Sequence, residues 1–174
     1  MKSTLEDLQS RRSIRSFKGD QITEADLNAI VNAGTWAPSG GGAQSAVILV
    51  IQDAALIRHI EALNARVLNK PEATPFFGAP TVLAVLVDTT KPTPLEDGSL
   101  VMGNLMLATH AVGVGSCWIH RAKQVFEFDE GKALLKKWGL SEHYVGVGFC
   151  ILGYAAGEAP KPAPRKAGYV IKAT

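Results

Sequence analysis

Cysteine is scarce in this chain. Cys117 and Cys150 are the two in 174 residues, no Cys-x-x-Cys pair occurs, and His59, His110, His120 and His143 show no ligand spacing. That argues against a disulfide framework, a redox dithiol and a zinc site. Each cysteine lies in an apolar stretch, GSCWI or VGFCIL, and reads as a buried reduced thiol. Excess charge is lacking too. With 18 basic and 16 acidic residues the formal net charge is +2, too small for a nucleic-acid or membrane-binding surface. No apolar run reaches the length of a membrane span, and the opening MKSTLEDLQSRR lacks an apolar signal region. The expectation is a cytoplasmic protein without internal repeats.

A length of 174 residues suits one domain, and 47% apolar content gives it an ordinary globular core. A first helix is expected from about Thr4 to Arg11. A second is capped by Thr23 with Asp26 at the capping-box position, shows an apolar face of Leu27, Ile30 and Val31, and stops at Gly34. The run Ala46 to Ile51 reads as a buried strand, and Asp53 caps a third helix carrying Leu56, Ile57, Ile60, Leu63 and Val67. Lys70 to Pro80 reads as loop and Thr81 to Val87 as a second buried strand. From about Gly98 to Val112 the chain is apolar nearly all round, which implies a helix buried in the domain or between subunits. A short strand or loop at SCWI, a helix from Glu127 to Lys137 stopped at Gly139, and a strand from Val145 to Leu152 complete the pattern. Buried strands alternating with helices imply a sheet covered on both faces. The tail from Tyr154 has too few apolar residues for a core of its own, so it lies along the body or reaches a partner.

Four segments can carry chemistry, and each has a plainer reading. Arg11-Arg12-Ser13-Ile14-Arg15 follows a helix; if extended, it turns Arg11, Ser13 and Arg15 to one side, where guanidinium groups and a hydroxyl suit a phosphate. Taken alone, the segment reads more simply as a solvated basic helix end, favoured by the helix dipole. Ala37-Pro38-Ser39-Gly40-Gly41-Gly42-Ala43-Gln44 permits close backbone approach to a ligand, or is a flexible connector. It is neither a P-loop nor a dinucleotide fingerprint. Gly113 to Ile119 offers backbone amides to a heterocycle, or is a packed turn with a core tryptophan. Pro164-Arg165-Lys166 adds two cations, or is a solvated tail.

In this order the segments RRSIRSF, WAPSGGGAQ, GAP before TVLAVLV, NLMLATHAVGVGSCWI, and ILGY with its PRK tail resemble the nitroreductase family. The resemblance spans nearly the whole chain. It implies an α+β fold, a central mixed sheet sandwiched by helices in three layers. It also implies an intertwined homodimer with FMN at the interface. Residues 1–174 would form one FMN-binding domain, with 154–174 as an extended tail. By the family pattern Arg11, Arg12, Ser13 and Arg15 belong to the FMN site, with Arg11 on the phosphate and Arg15 by the pyrimidine edge. Pro38, Ser39 and Gln44 would come from the other subunit, Ser116 and its neighbours would face the flavin through backbone groups, and Arg165 with Lys166 would return to the phosphate. The chain departs from the pattern at Gly42, where many members carry Asn, and at Ser45-Ala46, where they carry Pro-Trp. A more open pocket and weaker FMN binding follow from that loss.

The resemblance also implies the activity. NADH or NADPH would reduce the flavin and leave, and an acceptor such as a nitroaromatic or quinone would enter the same space, in ping-pong order. The cofactor carries such chemistry, so no catalytic side chain is named. Three other readings stand beside it: a flavin enzyme of this fold acting on a specific metabolite, a flavin-binding or storage protein, and a phosphate-ligand regulatory module without redox role.

Overall fold

The computed structural model describes residues 4–173. Along them come α1 (Thr4–Ser10), α2 (Glu24–Thr35), β1 (Ala46–Ile51), α3 (Ala54–Val67), β2 (Thr81–Asp88), α4 (Pro94–Ala111), β3 (Gly115–Ile119), α5 (Ala122–Glu127), α6 (Asp129–Lys137) and β4 (Tyr144–Gly153). The strands form one sheet in the order β1-β2-β4-β3, each neighbouring pair antiparallel. Parallel pairing among the described residues is confined to an isolated bridge between Ser13 and Ser116. The fold is thus α+β with three layers, as the resemblance implies, and its four named strands pair antiparallel throughout.

Side-chain alternation divides the core between the faces of the sheet. Val82, Ala84 and Leu86 of β2 point to one side with Phe149 and Ile151 of β4, where α3, α5 and α6 supply Ile57, Ile60, Leu63, Val125, Phe126 and Leu135. Leu83, Val85 and Val87 point to the other with Cys150 and Leu152, against Leu27 and Ile30 of α2 and Val101, Met102 and Leu105 of α4. The register of β2 on β4 shifts between Val85 and Leu86, whose partners are Gly148 and Gly146. Val147 is the extra residue of this bulge, and the shift sends it to the α4 side. Ile30, Met102 and Leu105 are fully buried; each contributes about 1.5–3 kcal/mol relative to exposure.

Thr23 and Asp53 cap α2 and α3 as expected, accepting from the backbone N–H of Asp26 and of Leu56. Four expectations need correction. Gly34 is not a stop: it lies inside α2, where a Cβ would meet Leu105 Cδ2 at 2.6 Å and Ile48 Cδ1 at 2.9 Å, so it permits close approach of α2 to α4. α4 begins at Pro94, a residue suited to the first helical position, rather than near Gly98. The expected helix from Glu127 is the pair α5 and α6, separated by Phe128 in an extended conformation. Finally, β1 is an edge strand with only Ile51 buried, since it has one sheet neighbour and no helix covers it completely.

Candidate functional site

Beyond α1 the chain runs extended along the end of β3. The Ile14 N–H donates to the Ser116 carbonyl at 2.9 Å, and the Lys18 N–H donates to Tyr154 at 2.8 Å. This docking places Arg11, Arg12 and Ser13 on one pocket of about 670 Å³. Lys161 and Arg165, from the exposed tail, line its other side, and no carboxylate does. Nη1 of Arg11 and Nε of Arg12 are buried without a hydrogen-bond partner. A buried donor left unpaired keeps the whole desolvation penalty, so these two favour an anionic acceptor. Arg12 also serves the helix end, because its Nη1 donates to the carbonyls of Gln9 and Arg11, each at 2.7 Å. Arg165 donates to the Ala163 carbonyl at 2.7 Å. Lys166 is not brought to the pocket: its ammonium lies 5.6 Å from the centre of the Tyr169 ring.

Arg15 is exposed and lines a second pocket, of about 470 Å³, at the end of β3. Ser116 lines neither pocket. Its hydroxyl shares a 2.7 Å hydrogen bond with that of Thr109 and its carbonyl holds Ile14, so it positions the arginine segment from inside the sheet. Nor do Pro38, Ser39 and Gln44 reach either pocket, since their loop lies by α4. The loop is nevertheless built. Gly40–Gly42 form one tight turn, Gly41 and Gly42 have φ of 58° and 70°, and the Gln44 N–H donates to Ser39 Oγ at 3.0 Å.

Asp97 anchors that loop and was not anticipated. It is 2% exposed and accepts from the Gly40 N–H at 3.0 Å, Thr93 Oγ1 at 2.9 Å and Ser45 Oγ at 2.7 Å. The Gly40 amide, then the Ser45 hydroxyl, hold its carboxyl below the ordinary value. The signal was an acidic residue in the first turn of a helix, hidden by starting that helix too late. Asn64 was missed as well, although a polar residue within the Ile60, Leu63, Val67 stripe marks it. Lys161 joins the pocket from the tail, three residues before the expected Pro164-Arg165-Lys166 segment. Cys117 and Cys150 are buried and free, and burial pushes the Cys150 thiol up to about 12. Among the described residues no cluster fit to hold a metal ion occurs, and no helix is long and apolar enough to cross a membrane.

A model of the nitroreductase family matches residues 8–154. A protein of Archaeoglobus fulgidus with the provisional name NADH dehydrogenase/NAD(P)H nitroreductase is 29% identical over 91% of this chain and 88% of its own. Among solved structures, a nitroreductase with bound FMN from Bacteroides fragilis is 25% identical with a TM-score of 0.90, covering 100% of both chains. An FMN-dependent nitroreductase from Clostridium difficile is 26% identical with a TM-score of 0.85, covering 98% of this chain and 99% of that one.

Proposed function

Since the chain belongs to the nitroreductase family, we propose that it is an FMN-dependent oxidoreductase passing electrons from NADH or NADPH to a small acceptor such as a quinone or nitroaromatic. The observation that carries this reading is the pocket between α1 and the tail, lined by Arg11, Arg12, Ser13, Lys161 and Arg165. Its residues fit the phosphate of a mononucleotide: cations and a hydroxyl, no competing carboxylate, and no dinucleotide fingerprint anywhere in the sequence. Arg11, Arg12, Ser13, Lys161 and Arg165 would hold that phosphate, with Lys166 nearby on the tail. Arg15, one pocket further on, would lie toward the pyrimidine edge.

When bound, FMN supplies two-electron chemistry by accepting and returning hydride. The protein binds and orients. Ser116, whose carbonyl accepts from Ile14, would hold the arginine segment in place, and fixed cations would balance negative charge at either end of the cofactor. Pro38, Ser39 and Gln44 would come from a second copy of the chain, because their own loop lies away from both pockets. For a quinone the balance is NAD(P)H, a proton and quinone giving NAD(P)+ and hydroquinone, in ping-pong order and in the cytoplasm where these reductants are available. No side chain is assigned as acid or base.

The test is the visible spectrum of the purified protein before and after anaerobic NADH or NADPH, with chromatography of the cofactor released on denaturation. A yellow protein that releases FMN and bleaches with the reductant is expected. FAD, or a protein that takes up no FMN, overturns the cofactor assignment. Bound FMN that stays oxidised under excess of both reductants overturns the activity.

A further inference from the structure

Beside Arg15, which the flavin reading uses, the pocket at the end of β3 carries a second guanidinium and an imidazole. Arg15, His120 and Arg121 line it together with Phe77, Trp118 and Ile119, and none of its lining residues is a carboxylate; the Trp118 indole itself packs against Gly148 on the α4 side of the sheet. Arg121 is held in an unusual way. Its φ is 77°, a left-handed conformation that a glycine would adopt without strain, and Phe77, which lines the same pocket, has φ 53°. Two of the four non-glycine residues with positive φ among the described residues therefore border one pocket. Backbone strain of this kind persists where the surrounding structure holds it in place.

Asn64 is what holds it here. Fully buried on α3, it donates from Nδ2 to the His120 carbonyl at 2.9 Å and accepts from Arg121 Nε at 3.0 Å. The amide thus fixes the turn and one edge of the guanidinium together. Arg121 forms no ion pair among the described residues and is partly desolvated, which lowers its pKa. A fixed, partly dehydrated guanidinium in a pocket that also holds Phe77 is matched to a planar ring bearing a carboxylate or sulfonate.

We propose that Arg121, clamped by Asn64, makes this pocket selective for planar aromatic anions, and that the protein's electron acceptors belong to that class. The redox part rests on the flavin reading above; the binding part does not.

Calorimetric titration of the FMN-loaded protein with naphthalene-2-sulfonate and with naphthalene-2-sulfonamide tests it, because the two differ little except in charge. Sulfonate is expected to bind about tenfold more tightly or better, the scale of one charge-assisted hydrogen bond. Arg121→Gln should bring the two affinities within about threefold, and Arg121→Lys should keep part of the preference. Equal affinities in the unaltered protein overturn the proposal, as does a preference that survives Arg121→Gln. Sulfonate binding that vanishes on FMN loading also overturns it, since the pocket would then be part of the cofactor's own site. Should the purified protein take up no FMN, the same titration on it as isolated separates the outcomes: a surviving preference keeps the anion pocket while the flavin reading falls, and its absence overturns both.

Discussion

An arginine next to a helix end can serve the helix or a ligand, and Arg12 and Arg11 divide those duties. Arg12 spends Nη1 on the carbonyls of Gln9 and Arg11, whereas Nη1 of Arg11 is buried with no partner in the chain. Arg11→Ala should therefore act on the ligand. Losing a charge-assisted hydrogen bond costs about 1.5–3 kcal/mol, or roughly 10- to 150-fold in the Kd for FMN. Equilibrium dialysis measures this, and an unchanged Kd would place the phosphate elsewhere. Cys150 argues the opposite case, that of a group without chemistry. Burial, followed by the neighbouring Cys117, raises its thiol to about 12. At pH 8 about one molecule in ten thousand is then thiolate, the form that reacts. Iodoacetamide should leave Cys150 unmodified in the folded protein at pH 8 and label it after denaturation. Rapid labelling of the native chain would show that the β4 core opens far more readily than its packing suggests.

At the scale of elements, the loop from Ser39 to Gln44 is only as well placed as its tether to α4. Asp97 supplies that tether, and its carboxyl is held below the ordinary value of 3.8 by the Gly40 amide first and the Ser45 hydroxyl next. A depressed carboxylate contributes stability that is fully present above the unfolded-state value and is lost as pH falls through the lower folded-state value. The stability difference between the natural protein and Asp97→Asn, read by urea unfolding, should thus be largest near neutrality and shrink below about pH 4. A difference that grows on acidification would contradict the assignment. The same elements show why some of the fold was legible in sequence and some was not. The central strand β2, the strand β4 and the caps Thr23 and Asp53 follow from local pattern, and all are present. That Arg11, Arg12 and Ser13 share one pocket was legible too, because the residues are adjacent. Gly34 was misread because its role is a contact with Leu105 some seventy positions away. Asp97, Asn64 and the left-handed Arg121 act through partners far along the chain, and no local periodicity records such pairings.

The whole chain leaves large apolar groups in water at places that no core of its own explains. Trp36 at the end of α2 is 78% exposed, Leu95 at the start of α4 is 56%, and Ile171 in the tail is 86%. The edge strand β1 is only partly covered, and the tail beyond β4 is exposed. A second copy of the chain would cover such groups, and stable interfaces bury roughly 1,200–2,000 Å² or more. The proposed homodimer has a consequence beyond mass. If the loop bearing Pro38, Ser39 and Gln44 completes the partner's flavin site, FMN binds the dimer in preference to the monomer. By linkage, a ligand that prefers the dimer must stabilise it, and dilution into the monomer range must weaken the ligand. Sedimentation equilibrium should accordingly give about twice the 18.5 kDa chain mass at micromolar concentration. FMN should tighten that association and be released as the dimer is diluted apart. Replacing Trp36 by Glu on this exposed surface should weaken the dimer and FMN binding together while the far-ultraviolet circular dichroism stays that of a folded chain. A folded monomer that holds FMN at micromolar concentration would show instead that one chain completes the site, and that the loop by α4 has no part in it.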